Sequence, residues 1–243
     1  MPRATHPTAT TFERTRYNGL MDAVQADVLA LVPAYNEAAG IAAVVAGARA
    51  HLPVLVVDDG SVDDTPSLAE GAGAQVLRQV PNQGKGAALK AGFRWAIEHG
   101  YAAVLTLDAD GQHDPEEIPG FLTSYKAQQA DLVIGQRDFS RMPPARRLAN
   151  TLGRWSFSWA VGASTPDNQS GYRLVSRRLM QALLESTEQG FEYEVEMIAI
   201  CVRRGYKLAW VPIRTIYASE VSHIRPLQHI GNYLRILWKI RRR

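Results

Sequence analysis

The chain has 243 residues, 46% hydrophobic and 21% charged, an ordinary globular balance that excludes a low-complexity or disordered chain. A single cysteine, Cys201, excludes an intramolecular disulfide and fits a reducing cytosol. Met1 to Thr11 lacks the apolar core of a signal peptide, and no apolar run approaches the ~18–20 residues of a membrane span, so a soluble or peripheral protein is expected.

Residues 1–24 read as a mobile N-terminal tail. Strand–helix alternation then begins. Val28 to Val32 is a short apolar run, the pattern of a buried parallel strand, and Pro33 stops it. Asn36 is placed to cap a helix from Glu37 to about Ala50. Val54 to Val57 is a second buried strand ending in Asp58-Asp59-Gly60-Ser61. Thr65-Pro66 opens a helix, and Gln75 to Leu77 is a weaker strand. Gly84 or Gly86 leads into a helix ending near His99-Gly100. Ala103 to Leu107 is the fourth strand. Asp114-Pro115-Glu116-Glu117 starts another helix, and Leu132 to Ile134 is the next strand. This alternation predicts an α/β fold with a mostly parallel, doubly wound sheet and helices on both faces.

Beyond Gly135 the pattern loosens. Arg137 to Arg154 reads as a basic loop entering a helix through Trp155, Phe157 and Trp159. Asp167 to Arg173 reads as a polar turn. Helices are expected at about Arg177 to Glu185 and Tyr193 to Arg204, with a strand from Leu208 to Val211. The net charge of +3 is uneven: from Arg203 onward there are ten Lys/Arg against one acid, Glu220, while the preceding part is acidic. A basic tail on an acidic body suggests an anionic partner, nucleic acid or lipid. Leu227, Ile230, Tyr233, Leu234, Leu237, Trp238 and Ile240 fall near helical spacing among Arg and Lys. Residues 221–243 therefore read as a basic amphipathic helix suited to a membrane surface rather than to nucleic acid. The same spacing also suits a terminal helix docked on the core.

The strongest chemical signal is the fourth strand's end, Leu107-Asp108-Ala109-Asp110-Gly111-Gln112-His113. Two carboxylates at i, i+2 on an extended chain point the same way. At the carboxyl edge of a sheet they suit a divalent cation carrying a diphosphate. The same residues also suit a polar turn. No G-x-G-x-x-G follows the first strand, which argues against a dinucleotide-binding oxidoreductase. Asn82-Gln83-Gly84-Lys85-Gly86 lacks P-loop spacing, though backbone N–H groups there could approach a phosphate. No H-E-x-x-H and no compelling Ser-His-Asp order is present.

Four motifs occur in order: Val32-Pro33-Ala34-Tyr35-Asn36-Glu37, the stretch from Val56 to Thr65, Asn82 to Gly86, and Asp108 to His113. With Ile134 to Arg137, Asp167 to Arg173 and Glu194-Val195-Glu196-Met197, they resemble the family 2 glycosyltransferases, in the dolichyl-phosphate mannosyltransferase-like (polyprenyl-phosphate) branch. The resemblance spans about Asp27 to His223. It implies a single GT-A domain, here residues 25–220, a UDP- or GDP-linked sugar donor, and Mg²⁺ or Mn²⁺. It implies that Pro33, Tyr35 and Glu37 line the nucleotide pocket, and that Asp59 holds base or ribose. Lys85 would face the donor, and Asp108, Asp110 and Gln112 the metal. Arg137 and Arg173 would bind phosphate. Glu196 matches a family glutamate, as base or as a residue ordering those arginines. Asp58, Asp63 and Asp64 read as turn and cap residues.

The mannosyltransferase pattern of Arg followed by Gly-x-Ser-Lys is altered: residues 217–224 read Y-A-S-E-V-S-H-I, so Ser222 matches, His223 replaces Lys, and the Arg is missing. The Q-x-x-R-W element of processive synthases is absent, which favours transfer of a single sugar. The expected function is inverting, metal-dependent transfer of a sugar to a polyprenyl phosphate at the cytoplasmic membrane face, with or without a membrane-spanning partner protein. Transfer to a hydroxyl of a lipid-linked saccharide, which needs a general base, and a non-catalytic nucleotide-sugar-binding protein are the alternatives.

Overall fold

In the computed structural model the described residues are 27–138, 144–188, 190, 192–214 and the isolated positions Arg235, Trp238 and Arg241. Side chains of 144–150 and 152 lie outside this set. So do the expected N-terminal tail, His223, the 217–224 segment and most of the C-terminal helix.

Seven strands form one sheet. They are β1 (Val28–Ala34), β2 (Val54–Asp58), β3 (Gln75–Arg78), β4 (Ala103–Thr106), β5 (Leu132–Arg137), β6 (Arg173–Ser176) and β7 (Leu208–Ile213). Their spatial order is β3-β2-β1-β4-β6-β5-β7. All neighbours pair in parallel except at β6, which runs antiparallel to both β4 and β5. The expectation of a mostly parallel sheet holds. The strand β6 shares only Arg173 with the expected turn from Asp167 to Arg173, and its four residues, Arg-Leu-Val-Ser, are too few to show a period.

The helices are α1 (Ile41–Arg49), α2 (Thr65–Gly71), α3 (Lys85–Glu98), α4 (Ile118–Gln128, after a 3₁₀ turn at Pro115–Glu117), α5 (Pro144–Val161), α6 (Arg177–Leu183) and α7 (Glu192–Arg203). Helix α5 starts well before Trp155, so part of the expected basic loop is helical. Pro144 at its first position lacks the N–H donor that a helix start does not need. Helix α1 starts four residues later than expected. Asn36 adopts φ 56°, and its side-chain Oδ1 accepts from Val62 N–H at 3.0 Å instead of capping.

Alternation along the strands splits the core. Val28, Ala30 and Val32 face Ile41, Val45, Phe121 and Leu122 on one side. Leu29 and Leu31 face Leu89, Phe93, Phe157, Leu179 and Met197 on the other. Both faces of the sheet are covered, as its continuous apolar strands require. Each fully buried Leu or Phe contributes about 1.5–3 kcal/mol relative to exposure. Among the described residues, no helix is long and apolar enough to cross a membrane.

Candidate active site

Parallel register places Ala34 opposite Asp58, and Leu31 opposite Thr106. The carboxyl ends of β1, β2 and β4 thus share one edge, where open α/β sheets hold ligands. A cavity of about 330 Å³ opens there. Pro33, Tyr35, Glu37, Asp59, Lys85, Asp108 and Asp110 line it, with Asn82 and Gly84. Seven of the residues singled out from sequence therefore meet in one place. Tyr35 is half-exposed at the rim.

The loops around the cavity hold one another. Asn36 N–H donates to Ser61 Oγ at 2.9 Å, and Glu37 N–H to Thr65 Oγ1 at 2.8 Å. Asp58 accepts from Ser61 N–H at 3.2 Å and Arg78 Nε at 3.1 Å, and Asp63 accepts from Thr65 N–H at 3.1 Å. These are turn roles, as the sequence suggested. Asp59 is buried, and its two oxygens accept from Gln83 N–H (2.9 Å) and Gly84 N–H (2.7 Å). Asp59 thereby fixes the loop that delivers Lys85 at the start of α3, while still lining the cavity.

Lys85 Nζ lies 2.6 Å from Asp108 Oδ1 and 3.2 Å from Glu194 Oε1. Burial disfavours the charge on Lys85, yet the two carboxylates hold its pKa above the ordinary lysine value. Burial also works against the Asp108 carboxylate, but Lys85 and His113 bring its pKa down to about 2. Asp110 moves the other way: burial raises its pKa, with the Asp108 charge adding to the effect, while Gln112 N–H donates to its Oδ1 at 2.9 Å. The environments thus drive the two carboxylates apart in acidity.

Asp108 N–H donates to His113 Nδ1 at 3.0 Å, and the His113 ring stacks on Tyr172 at 4.9 Å between centroids. Burial pulls the His113 pKa down, so the neutral ring carries its proton on Nε2. Two glycines make room for this packing. A Cβ on Gly40 would stand 2.8 Å from Ala109 O. One on Gly171 would stand 2.9 and 3.1 Å from the Asp108 oxygens and 3.1 Å from Glu194 Oε1.

Arg137, at the end of β5, forks both oxygens of buried Asp167 (Nε 2.8 Å, Nη2 3.0 Å). Asp167 Oδ1 also accepts from Gln169 N–H (3.1 Å) and Ser170 N–H (3.2 Å), so one carboxylate orders both the arginine and its turn.

Arg173 and Glu196, both expected at the site, are not among the residues lining the cavity. Arg173 is fully buried, and its guanidinium donates to the carbonyls of Ser170 (2.7 Å), Glu194 and Asn168 (3.3 Å). It organises the turn and the start of α7 instead of facing a phosphate. Glu196 accepts from the Ser186 hydroxyl and does not line the cavity. The glutamate beside Asp108 is Glu194. Positions i and i+2 of a helix face different ways, so only one of the pair can reach the site. The quoted stretch Glu194 to Met197 contained the right residue, but nothing in its sequence set the phase of α7. Cys201 is buried, and burial pushes its thiol up to about 12, which removes it as a nucleophile.

Residues 30–207 match Glycosyl transferase family 2. The chain belongs to this family. This glycosyltransferase is 34% identical over 204 residues to the undecaprenyl-phosphate mannosyltransferase of Micrococcus luteus, covering 76% of this chain and 82% of that protein. It is 32% identical to the polyprenol monophosphomannose synthase of Mycolicibacterium smegmatis, covering 80% of each. Its fold is that of glucosyl-3-phosphoglycerate synthase from Mycobacterium tuberculosis, crystallised with Mn²⁺, UDP and phosphoglyceric acid: TM-score 0.70, 22% identity, covering 91% of this chain and 80% of that one. The expected GT-A architecture is thereby borne out for this glycosyltransferase.

Proposed function

We propose that this glycosyltransferase moves one sugar, with inversion, from a nucleotide-sugar donor to a polyprenyl phosphate at the cytoplasmic face of a membrane, using Mg²⁺ or Mn²⁺. The observation that carries the reading is the Asp108–Asp110 pair at the end of β4, beside Lys85 and inside the cavity lined by Tyr35 and Asp59. Relatives named as undecaprenyl-phosphate and polyprenol-phosphate mannosyltransferases supply the acceptor class.

The donor set fits a magnesium-type cation. Among the described residues no group of three or more His, Cys, Asp or Glu forms a ready cage. Two carboxylates remain, the number Mg²⁺ uses when phosphates and waters complete its shell. A divalent cation there would neutralise charge developing on the leaving diphosphate. The chain's own residues do the rest. Tyr35 and Pro33 offer an apolar rim for a base. Lys85 presents a partly buried cation at the diphosphate end. Arg137, ordered by Asp167 and not itself among the residues lining the cavity, would be the arginine that meets phosphate. Gln112, whose backbone N–H donates to Asp110, would stand on the metal side, and His223, outside the described residues, on the donor side.

A phosphate acceptor is favoured over a hydroxyl by the place of Glu196. Glu196, expected as a base or as a residue ordering the arginines, accepts from Ser186 and is not among the residues lining the cavity, and Glu194 is held by Lys85. A lipid monophosphate is largely dianionic at neutral pH, with a second pKa of about 6 by analogy with phosphoamino acids, and needs no base. The basic stretch at 221–243 would hold the enzyme near the headgroups.

The test is a donor panel of UDP- and GDP-sugars with a short polyprenyl phosphate and Mn²⁺ or Mg²⁺, run with Asp110→Asn beside the wild type. Metal-dependent product from one donor, lost in the variant, is expected. Donor binding with no product would point to a hydroxyl acceptor or a missing partner. No donor binding would overturn the reading.

A further inference from the structure

Three of the five tryptophans of this chain stand open to solvent: Trp155 is 71%, Trp159 60% and Trp238 59% exposed. Such side chains are normally buried at least in part, and a group of them marks a contact surface. Trp155 and Trp159 are i and i+4 on α5, hence neighbours on one face. Phe157, between them in sequence, is fully buried and docks the opposite side of the helix on the core. The outward direction of both tryptophans is therefore set by packing.

The third tryptophan is brought to the same region. The Arg241 guanidinium lies over the Trp159 ring, 4.8 Å from its centroid. Arg235 Nη2 lies 3.4 Å from Glu188 Oε2. Arg235 and Arg241, on either side of Trp238 in sequence, thus each touch the domain. The surface is also tied to the candidate site. Arg154 Nη1 donates to Pro166 O at 2.9 Å, and Ser158 Oγ is 2.6 Å from Thr165 Oγ1. Arg154 adjoins Trp155 in sequence and Ser158 adjoins Trp159. Thr165 and Pro166 lead directly into Asp167, which holds Arg137.

We propose that Trp155, Trp159 and Trp238, with Arg241, form one docking surface for an anionic lipid bilayer, in which α5 is a membrane contact in its own right. The proposal rests on the polyprenyl-phosphate reading above and adds the second contact, the one nearest the site. Charge complementarity selects the occupant. Ten Lys/Arg against one acid from Arg203 onward suit anionic headgroups. Tryptophans beside arginines are the composition of a bilayer's interfacial zone, where rings sit among headgroups and cations reach phosphates.

The full chain is floated with phosphatidylcholine vesicles, with and without phosphatidylglycerol, and compared with Trp155→Ser/Trp159→Ser and with Trp238→Ser. Donor binding and transfer to a short, water-soluble polyprenyl phosphate are measured on the same preparations, and retained donor binding shows that a variant is folded. Wild type is expected to float with phosphatidylglycerol vesicles, and the double variant to lose about tenfold or more in partitioning. Transfer to the soluble acceptor should stay unchanged. Trp238→Ser is expected to lose partitioning as well. The proposal is overturned if the double variant floats like the wild type. It is also overturned if wild type ignores anionic lipid, or if the tryptophans instead hold a dimer that the double variant dissociates. Vesicle binding that depends on the tryptophans, without donor binding or transfer, would leave the docking surface standing and sink the glycosyl-transfer reading instead.

Discussion

Lys85 Nζ sits 2.6 Å from Asp108 Oδ1, so the chain supplies its own cation to a carboxylate expected to meet a metal. The pair reaches across the site from the start of α3 to the end of β4, and Glu194 from α7 closes it at 3.2 Å. Two positive charges then compete for one oxygen: the ammonium already there and a divalent ion arriving with the donor.

Lys85→Met keeps most of the side chain's volume and removes that competitor. Mn²⁺ without donor should bind more tightly to the variant, read by calorimetry, while transfer falls by about 10²-fold or more for loss of a preorganised cation. Stability should fall by about 2–3 kcal/mol, below the usual cost of breaking a fully buried pair because both partners are partly solvated. Unchanged Mn²⁺ affinity would show that Asp108 is not shared between the two cations.

Glu194 and Glu196 of α7 make opposite predictions. Glu194→Gln should reduce transfer by about tenfold or more, because Lys85 loses one of its two carboxylates. Glu196→Gln should leave transfer near the wild-type rate and cost about 1 kcal/mol through a weakened bond from Ser186. A loss of transfer confined to Glu196→Gln, with donor binding intact, would restore Glu196 as a base and favour a hydroxyl acceptor.

Gly171→Ala places a methyl group 2.9 to 3.1 Å from three carboxylate oxygens. Those oxygens belong to Asp108 and Glu194, both held by Lys85, so neither can yield freely. An overpacking cost of about 1–3 kcal/mol is expected, with weakened donor and metal binding. Wild-type donor affinity in this variant would show that the carboxylates can shift without consequence.

Arg173→Lys separates a phosphate ligand from a positioning residue. Lysine keeps the charge but cannot donate in three fixed directions to Ser170, Glu194 and Asn168. Thermal unfolding should fall by several degrees, reflecting about 2–4 kcal/mol. A wild-type melting temperature with lost donor binding would mark Arg173 as a direct ligand after all.

The Asp108 carboxylate has a folded-state pKa of about 2 against an ordinary 3.8. A depressed carboxylate contributes stability that is complete above the unfolded value and lost as pH falls through the folded one. Urea midpoints of the wild type should therefore drop between pH 4 and about pH 2 by more than those of Asp108→Asn. Parallel curves would show that the Lys85–Asp108 pair adds no acid-labile stability.

Much of this was legible in the sequence because it is local. Val28 to Val32, Val54 to Val57 and Ala103 to Leu107 are apolar runs that can only be buried strands, and each ends in polar residues at a fixed edge. Parallel pairing then brings Tyr35, Asp59, Asp108 and Asp110 together without further information. Strand geometry does not set the direction of the carboxylate pair, because β4 ends at Thr106 and Asp110 lies in the turn that follows. What the tertiary structure alone decided depends on neighbours distant in sequence. The phase of α7 put Glu194 in the site and Glu196 against Ser186, because the core on Tyr193 and Met197 fixes which way the helix turns. The antiparallel insertion of β6 buried Arg173 beneath the turn it was expected to project from. The docking of Phe157 turned Trp155 and Trp159 outward. Motif and spacing set which residues are near the chemistry; packing, which minimises buried unpaired charge, set which of them touch it.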